Sequence, residues 1–384
     1  MSEPNERQDS GAPKIERNMV LDGHKMVYHL DRVKAWLRGE RVAPITIDMA
    51  LTRACNFRCS YCYSALQENQ GKSLTKEVMF RFLDDAAEIG VKAISLVSDG
   101  ESTVSPIFYD TIAYGKSKGI DMAVGTNGAL LKKEKMKDML RDLTYLRFNI
   151  SAGEAERYAK IHGVPVKVFH DVCEIIKECA RVKKENDYSV TIGLQMVLMP
   201  GLEDQVIPLA RLGRELGVDY LVIKHTSDDE DGSLGVDYSK YAEMESLLKE
   251  VETYSTDSYL VKVKWSKIMS EGKRSYSRCF GPPFIIQFSG TGLVAPCGPL
   301  FNDKYQRFHI GNLAEKSFKE IWQSDRYWEV MDYIASGKFN AKTDCGTLCL
   351  QHKVNEFLDD VKSGKIDIDK IEVPDKRPDH INFI

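Results

Sequence analysis

The sequence predicts an α/β chain: a partial (β/α)6 barrel followed by a smaller α+β module. Three observations lead there. Six short apolar stretches alternate with amphipathic segments of helix length: ITIDMAL (45–51), AISLVS (93–98), DMAVGT (121–126), YLRFNIS (145–151), TIGLQMVLM (191–199) and YLVIK (220–224). Such alternation marks parallel βαβ units, whose functional groups collect at the C-terminal strand ends. The alternation stops near residue 235, and the remaining chain mixes helical runs with a short hairpin pattern. Finally, the cysteines fall into an early set and a late set that match this division. A doubly wound open sheet is the alternative architecture.

The elements follow in chain order. Residues 1–18 are polar and of mixed charge, and read as disordered. A short helix is expected near His29–Arg38, with Val33, Trp36 and Leu37 on one face and Gly39 as its stop. The strongest helix is LTKEVMFRFLDDAAEIG, with Thr75 as N-cap and Gly90 just past its end. Others are expected near 106–118, 132–142, 166–184 and 203–216. These elements make a core of residues 19–235. A module of residues 236–363 opens with VDYSKYAEMESLLKEVETY and contains a hairpin around Ser289–Gly292, then the helical run AEKSFKEIWQSDRYWEVMDYIASG. The charged tail 364–384 reads as an arm.

Charge and hydropathy narrow the function. The 384 residues carry a formal charge of −4 and a pI near 6.1, with no basic surplus to favour nucleic acid or an anionic membrane. No apolar run is long enough to cross a bilayer, and the N-terminus has no signal-peptide core. The expectation is a cytoplasmic protein with reduced thiols, so the nine cysteines are ligands, reactive groups or core fillers.

The stretch ACNFRCSYCYS places Cys55, Cys59 and Cys62 in a loop directly after the first strand. Three thiolates can hold three irons of a [4Fe–4S] cube and leave the fourth open to a non-protein ligand. A zinc loop with its fourth ligand elsewhere is the alternative. The pattern C-x3-C-x-φ-C, with Tyr61 before the last cysteine, resembles the signature of the radical S-adenosylmethionine (SAM) enzymes. That resemblance implies a partial barrel of the radical SAM type. It also implies a SAM-binding [4Fe–4S] cluster whose open iron chelates SAM, and one-electron cleavage of SAM to a 5′-deoxyadenosyl radical that abstracts hydrogen from substrate.

Weaker motifs extend the resemblance. SDGES (98–102) is similar to the family's G-G-E-P loop, which implies that Gly100 and Glu101 hold the SAM amino group; Asp99 and Ser102 depart from it. GTNG (125–128) is similar to the T-N-G after the third strand, which brings in Thr126 and Asn127. RFNIS aligns loosely with a ribose-binding S-x-D, with Asn149 and Ser151 in the two positions. Gln195 is a polar residue on an apolar strand, either turned toward SAM or satisfied in the core.

The late set is Cys279, Cys297, Cys345 and Cys349. With Gly292-x4-Cys297, the stretch Ile310–Leu313 and a downstream EIW, it resembles the SPASM and twitch extensions of that family, which implies a second, auxiliary [4Fe–4S] cluster. Four cysteines instead of seven imply one auxiliary cluster; a structural zinc is the alternative. Cys173 and Cys179 remain, in a helical run that reads as core packing or, alternatively, as a source of a catalytic thiol.

Lys224–Gly232, KHTSDDEDG, follows the sixth strand and offers cations and hydroxyls to a polar or phosphorylated substrate, with Asp228–Asp231 alternatively a solvated loop. His162 and Gly163 read as a structural turn, and no catalytic residue is assigned. The resemblance implies hydrogen abstraction from a small polar molecule, of the sugar, nucleotide-sugar or aminocyclitol type, with net oxidation through the auxiliary cluster. The implied partner is an electron donor such as flavodoxin or ferredoxin. A peptide maturase is the nearest alternative. A non-catalytic iron–sulfur carrier or zinc scaffold is the alternative of another class.

Overall fold

The structure, a computed structural model, describes residues 18–346 and 348–384. Apart from Asn18, the segment expected to be disordered lies outside the described residues. The strands are β1 (Thr46–Met49), β2 (Ala93–Leu96), β3 (Asp121–Thr126), β4 (Leu143–Asn149), β5 (Thr191–Leu198), β6 (Tyr220–His225), β7 (Leu260–Val263), β8 (Ile285–Phe288), β9 (Leu293–Ala295) and β10 (Gly311–Asn312). They form one sheet in the order β10-β9-β8-β1-β2-β3-β4-β5-β6-β7. It is parallel from β8 through β7 and antiparallel only at the β8–β9–β10 edge. Two free edges remain, so this is a partial barrel.

Local sequence explains most of it. β2 is buried at all four positions, as a parallel strand covered on both faces requires. The helix Lys76–Ile89 starts where the Thr75 side chain accepts the Val78 N–H and stops at Gly90, whose φ of 95° suits glycine. Its inner residues Met79, Phe82, Leu83 and Ala86 pack on the sheet with Phe288 and Phe318. Two features exceed the sequence reading. β7 adds a seventh parallel strand beyond residue 235; it is only four residues long, LVKV, too short to stand out in the sequence. β8 pairs with β1, so the late module's hairpin continues the barrel sheet.

The C-terminal segment crosses the N-terminal mouth of the barrel. Thr46, Asp121 and Thr191 are the first residues of β1, β3 and β5. Thr46 Oγ1 donates to the Asn382 carbonyl at 2.6 Å, Asn382 Nδ2 donates to Asp121 at 2.8 Å, and Thr191 Oγ1 lies 2.6 Å from His380 Nε2. Phe383 packs edge-on against Tyr145 with centroids 4.9 Å apart. The expected arm is therefore the floor of the barrel. Replacing the buried Phe383 by alanine should cost about 3 kcal/mol, read as a lower midpoint of chemical unfolding. Lys370→Ala, on the exposed part of the same segment, should leave it unchanged.

Candidate functional site

The early cysteines sit on a loop held from both sides. On one side the guanidinium of Arg53 donates to the carbonyls of Ser64, Gln67 and Asn69, so it spans the loop's return. On the other, the N–H groups of Arg58 and Ser60 donate to the carbonyls of His162 and Ile161 at 3.0 and 2.8 Å. Those are terminal carbonyls of the helix Ala155–His162, which lack partners within the helix.

The segment Thr52–Arg53 that launches the loop is gripped by two glycines. A Cβ on Gly100 would lie 2.0 Å from the Thr52 carbonyl oxygen, and one on Gly290 2.2 Å from the Thr52 carbonyl carbon. Only glycine permits such approach of backbone to backbone. Asp99, beside Gly100, is buried. It pairs with Arg53 Nε at 3.3 Å and accepts from Ser289 Oγ at 2.5 Å and Gly290 N–H at 2.8 Å. One of the two residues that depart from the G-G-E-P pattern, Asp99, thus ties the second loop of the barrel to the hairpin of the late module.

Around the loop, His162 is fully buried against Cys59, with Nδ1 at 3.1 Å from the sulfur. The Ser151 N–H donates to His162 Nε2 at 3.1 Å, which leaves the ring proton on Nδ1, directed at Cys59. Sequence reading took His162 for part of a turn; its partner lies 103 residues away, and no local pattern reveals it. Burial, then the neighbouring thiols Cys62 and Cys55, push the Cys59 thiol up to about 12. A thiol raised in this way ionises readily only beside a positive charge, which bound iron supplies. The buried hydroxyl of Ser98 has no hydrogen-bond partner among the described residues. Donor set and orphaned hydroxyl both fit a cluster with a polar ligand beside it.

The other expected residues fall into two groups. Tyr61, Gly100, Glu101, Asn127, Asn149 and Gln195 line the same cavity as Cys55, Cys59 and Cys62. Gln195 Nε2 donates to Asn149 Oδ1 at 2.9 Å across paired positions of β4 and β5. Glu101 accepts from Thr103 N–H, Thr103 Oγ1, Thr126 Oγ1 and Asn127 N–H, so it shapes the loop around it. Thr126 and Ser151 are fully buried behind the cavity wall. The Thr126 hydroxyl is given to Glu101, and that of Ser151 accepts the Val197 N–H.

Cys279, Cys297, Cys345 and Cys349 line one small enclosed space in the late module. Asn355, buried on the helix His352–Lys362, accepts the N–H groups of Phe280 and Gly281 at 2.6 and 2.8 Å and aims Nδ2 at the Cys279 sulfur, 3.6 Å away. Gln351 Nε2 donates to the carbonyls of Ile285 and Pro296, fixing the strand that leads to Cys297. Arg274 places a guanidinium nitrogen 3.4 Å from the Cys345 sulfur. Burial, then the neighbouring thiols, pushes Cys279 and Cys297 up. The set fits a bound cationic cluster on the same grounds as the first. Cys173 and Cys179 are buried in the main core, with Cys179 3.8 Å from Met136 Sδ.

One cavity of about 500 Å³ joins the early loop to Cys349. That volume is typical for small-molecule sites.

Comparison with known proteins agrees with this arrangement. The model of the radical SAM superfamily matches residues 49–212, and that of SPASM, an iron–sulfur cluster-binding domain, matches residues 279–350. The chain is 23% identical over 335 residues to the tungsten-containing aldehyde ferredoxin oxidoreductase cofactor-modifying protein of Pyrococcus furiosus, covering 83% of this chain and 90% of that one. It is 26% identical over 303 residues to the AdoMet-dependent heme synthase of Methanosarcina barkeri, covering 73% and 83%. Streptococcus suis SuiB bound to S-adenosylmethionine superimposes with a TM-score of 0.61 at 16% identity, over 79% of this chain and 71% of that one. This last likeness is one of fold.

Two variants test the geometry. His162→Phe removes the N–H aimed at Cys59. A donor to a cluster sulfur favours the reduced, more negative state, so the first cluster's potential should fall by about 40 mV, the equivalent of one hydrogen bond of ~1 kcal/mol. Asn355→Ala leaves two buried N–H groups unpaired and should release only the second cluster, lowering bound iron from about eight to about four per chain.

Proposed function

The chain belongs to the radical SAM superfamily and carries a SPASM cluster domain, and from that premise we propose that it abstracts hydrogen from a small polar molecule held between its two cysteine sets. Cys55, Cys59 and Cys62 would hold the first [4Fe–4S] cluster, and Cys279, Cys297, Cys345 and Cys349 the second. Bound together, the first cluster and SAM supply a 5′-deoxyadenosyl radical. The second supplies an electron acceptor within the same protein, which suits a net oxidation. The observation that carries the reading is the single cavity running from the early loop to Cys349.

In this reading Tyr61, Gly100, Glu101, Asn127, Asn149 and Gln195 orient SAM, while Thr126 and Ser151 hold their neighbours from behind. Glu101 Oε1 takes three of its hydrogen bonds and Oε2 only that from the Asn127 N–H, so Oε2 keeps an acceptor site for the SAM ammonium. The floor formed by His380, Phe383 and Ile384 keeps bulk water from the lower mouth. A substrate of sugar, nucleotide-sugar or cofactor-precursor size suits the volume. Two relatives named for a cofactor-modifying and a heme-forming role support the cofactor end of that range. A flavodoxin or ferredoxin would deliver the electron. Among the described residues no helix is long and apolar enough to cross a membrane.

The test is anaerobic reconstitution, counting iron and sulfide, then reduction with dithionite in the presence of SAM. About eight irons per chain and release of 5′-deoxyadenosine are expected. The Cys55→Ala chain should keep about four irons and release none. Full 5′-deoxyadenosine release by that variant would refute the reading.

A further inference from the structure

The cavity has a strongly cationic side that the SAM site does not use. Lys224 is the fifth residue of β6, and Lys264 follows the end of β7. Ile223 pairs with Val263, and the Lys264 N–H donates to the Ile223 carbonyl at 2.8 Å, so the two lysines stand side by side. Lys267, from the short helix Trp265–Ile268, joins them, and Arg147 on β4 faces them across the interior. All four line the cavity.

Their charge is only partly answered by the protein. Of the acids on the cavity wall, Asp99 is taken by Arg53, Ser289 and Gly290. Glu101 is taken by Thr103, Thr126 and Asn127, and Asp228 accepts the N–H groups of Asp229, Leu234 and Val236. Asp48 faces the cations, Asp22 also acts on Lys264 and Lys267, and Cys349 acts on Lys267. Asp22, behind them, accepts from Ser266 N–H and Oγ. Lys25, the fifth cation on the wall, donates to the Phe383 carbonyl. The ammonium groups of Lys224, Lys264 and Lys267 have no ion pair or hydrogen bond among the described residues, and Arg147 Nε is buried without an acceptor. Burial, then mutual repulsion, pulls Lys224 well down and Lys264 to about 7. Cations crowded into one cavity wall with so few counter-charges repel one another, so their concentration here calls for an anion.

We propose that Lys224, Lys264, Lys267 and Arg147 form an anion-binding subsite that takes a phosphate- or carboxylate-bearing end of the substrate. The subsite deepens the reading of a small polar substrate and rests on it. It narrows the class to molecules with at least two negative charges at one end. A polyanion restores the charge of all three lysines at once, and the planar guanidinium adds a two-pronged contact. Such an anchor would aim the uncharged remainder of the molecule toward the early cysteine loop, where hydrogen abstraction takes place.

The probes are inorganic pyrophosphate and citrate, titrated separately by calorimetry into the reconstituted full chain at low salt with SAM present. Saturable one-to-one binding of at least one is expected. Affinity should fall tenfold or more in Lys264→Gln and in Lys224→Gln, return substantially in Lys264→Arg, and stay unchanged in Lys76→Gln on the outer surface. Pyrophosphate alone would indicate a phosphorylated substrate, citrate alone a polycarboxylate, and both a site that reads charge. Iron content and melting temperature of each variant verify its folding. No saturable binding by wild type, or binding undiminished in both glutamine variants, overturns the subsite. SAM cleavage by the same wild-type preparation keeps the two readings apart. Cleavage without anion binding removes only the subsite, and anion binding without cleavage removes only the radical reading.

Discussion

The site depends on one buried carboxylate. Asp99 gathers Arg53, Ser289 and Gly290, and thereby three segments from different parts of the chain. A buried aspartate is costly unless its oxygens are fully hydrogen-bonded, and here they are. Arg53 in turn holds the far side of the cysteine loop by its carbonyls. Gly100 and Gly290 let the two gripping loops touch the Thr52–Arg53 backbone directly. The early cysteines are therefore presented on a loop with little freedom to move. The same carboxylate binds the barrel to the hairpin that leads to Cys297.

From that joint the cavity follows. Because β8 pairs with β1, the late module is an extension of the barrel wall, and its Cys349 opens onto the barrel's interior. Strand parity decides what else faces inward. Asn149 and Gln195 share one register row, while Arg147, Gly193 and Tyr220 share the next. A Cβ on Gly193 would meet the Tyr220 ring at 2.1 Å, so the glycine makes room for that ring beneath the polar row. The barrel interior is thus a graded polar chamber, with neutral amides near the early cysteines and cations toward β6 and β7.

The two cysteine sets are built by different means. The first lies on a short loop and owes its geometry to clamps at both ends. The second draws thiols from distant positions and is fixed by side-chain amides of one helix, Gln351 and Asn355, that satisfy neighbouring backbone. Each set also has a hydrogen-bond donor aimed at a sulfur, from His162 to Cys59 and from Arg274 to Cys345. Such contacts are among the levers that set a cluster's potential.

What the sequence determined by itself is whatever rests on neighbours in the chain. The C-x3-C-x2-C spacing, the Thr75 and Gly90 caps, the Ser289–Gly292 turn and the β–α rhythm are local, because a few covalent bonds fix their geometry. Tertiary structure alone decided the partners of isolated polar residues. Asp99 meets Ser289 across 190 positions, His162 meets Cys59 across 103, and the C-terminal segment reaches the first residues of β1, β3 and β5. Lys264 stands beside Lys224 only because β7, too short to be read as a strand, pairs with β6. A buried charge takes its meaning from what packing brings to it, and packing is a property of the whole chain.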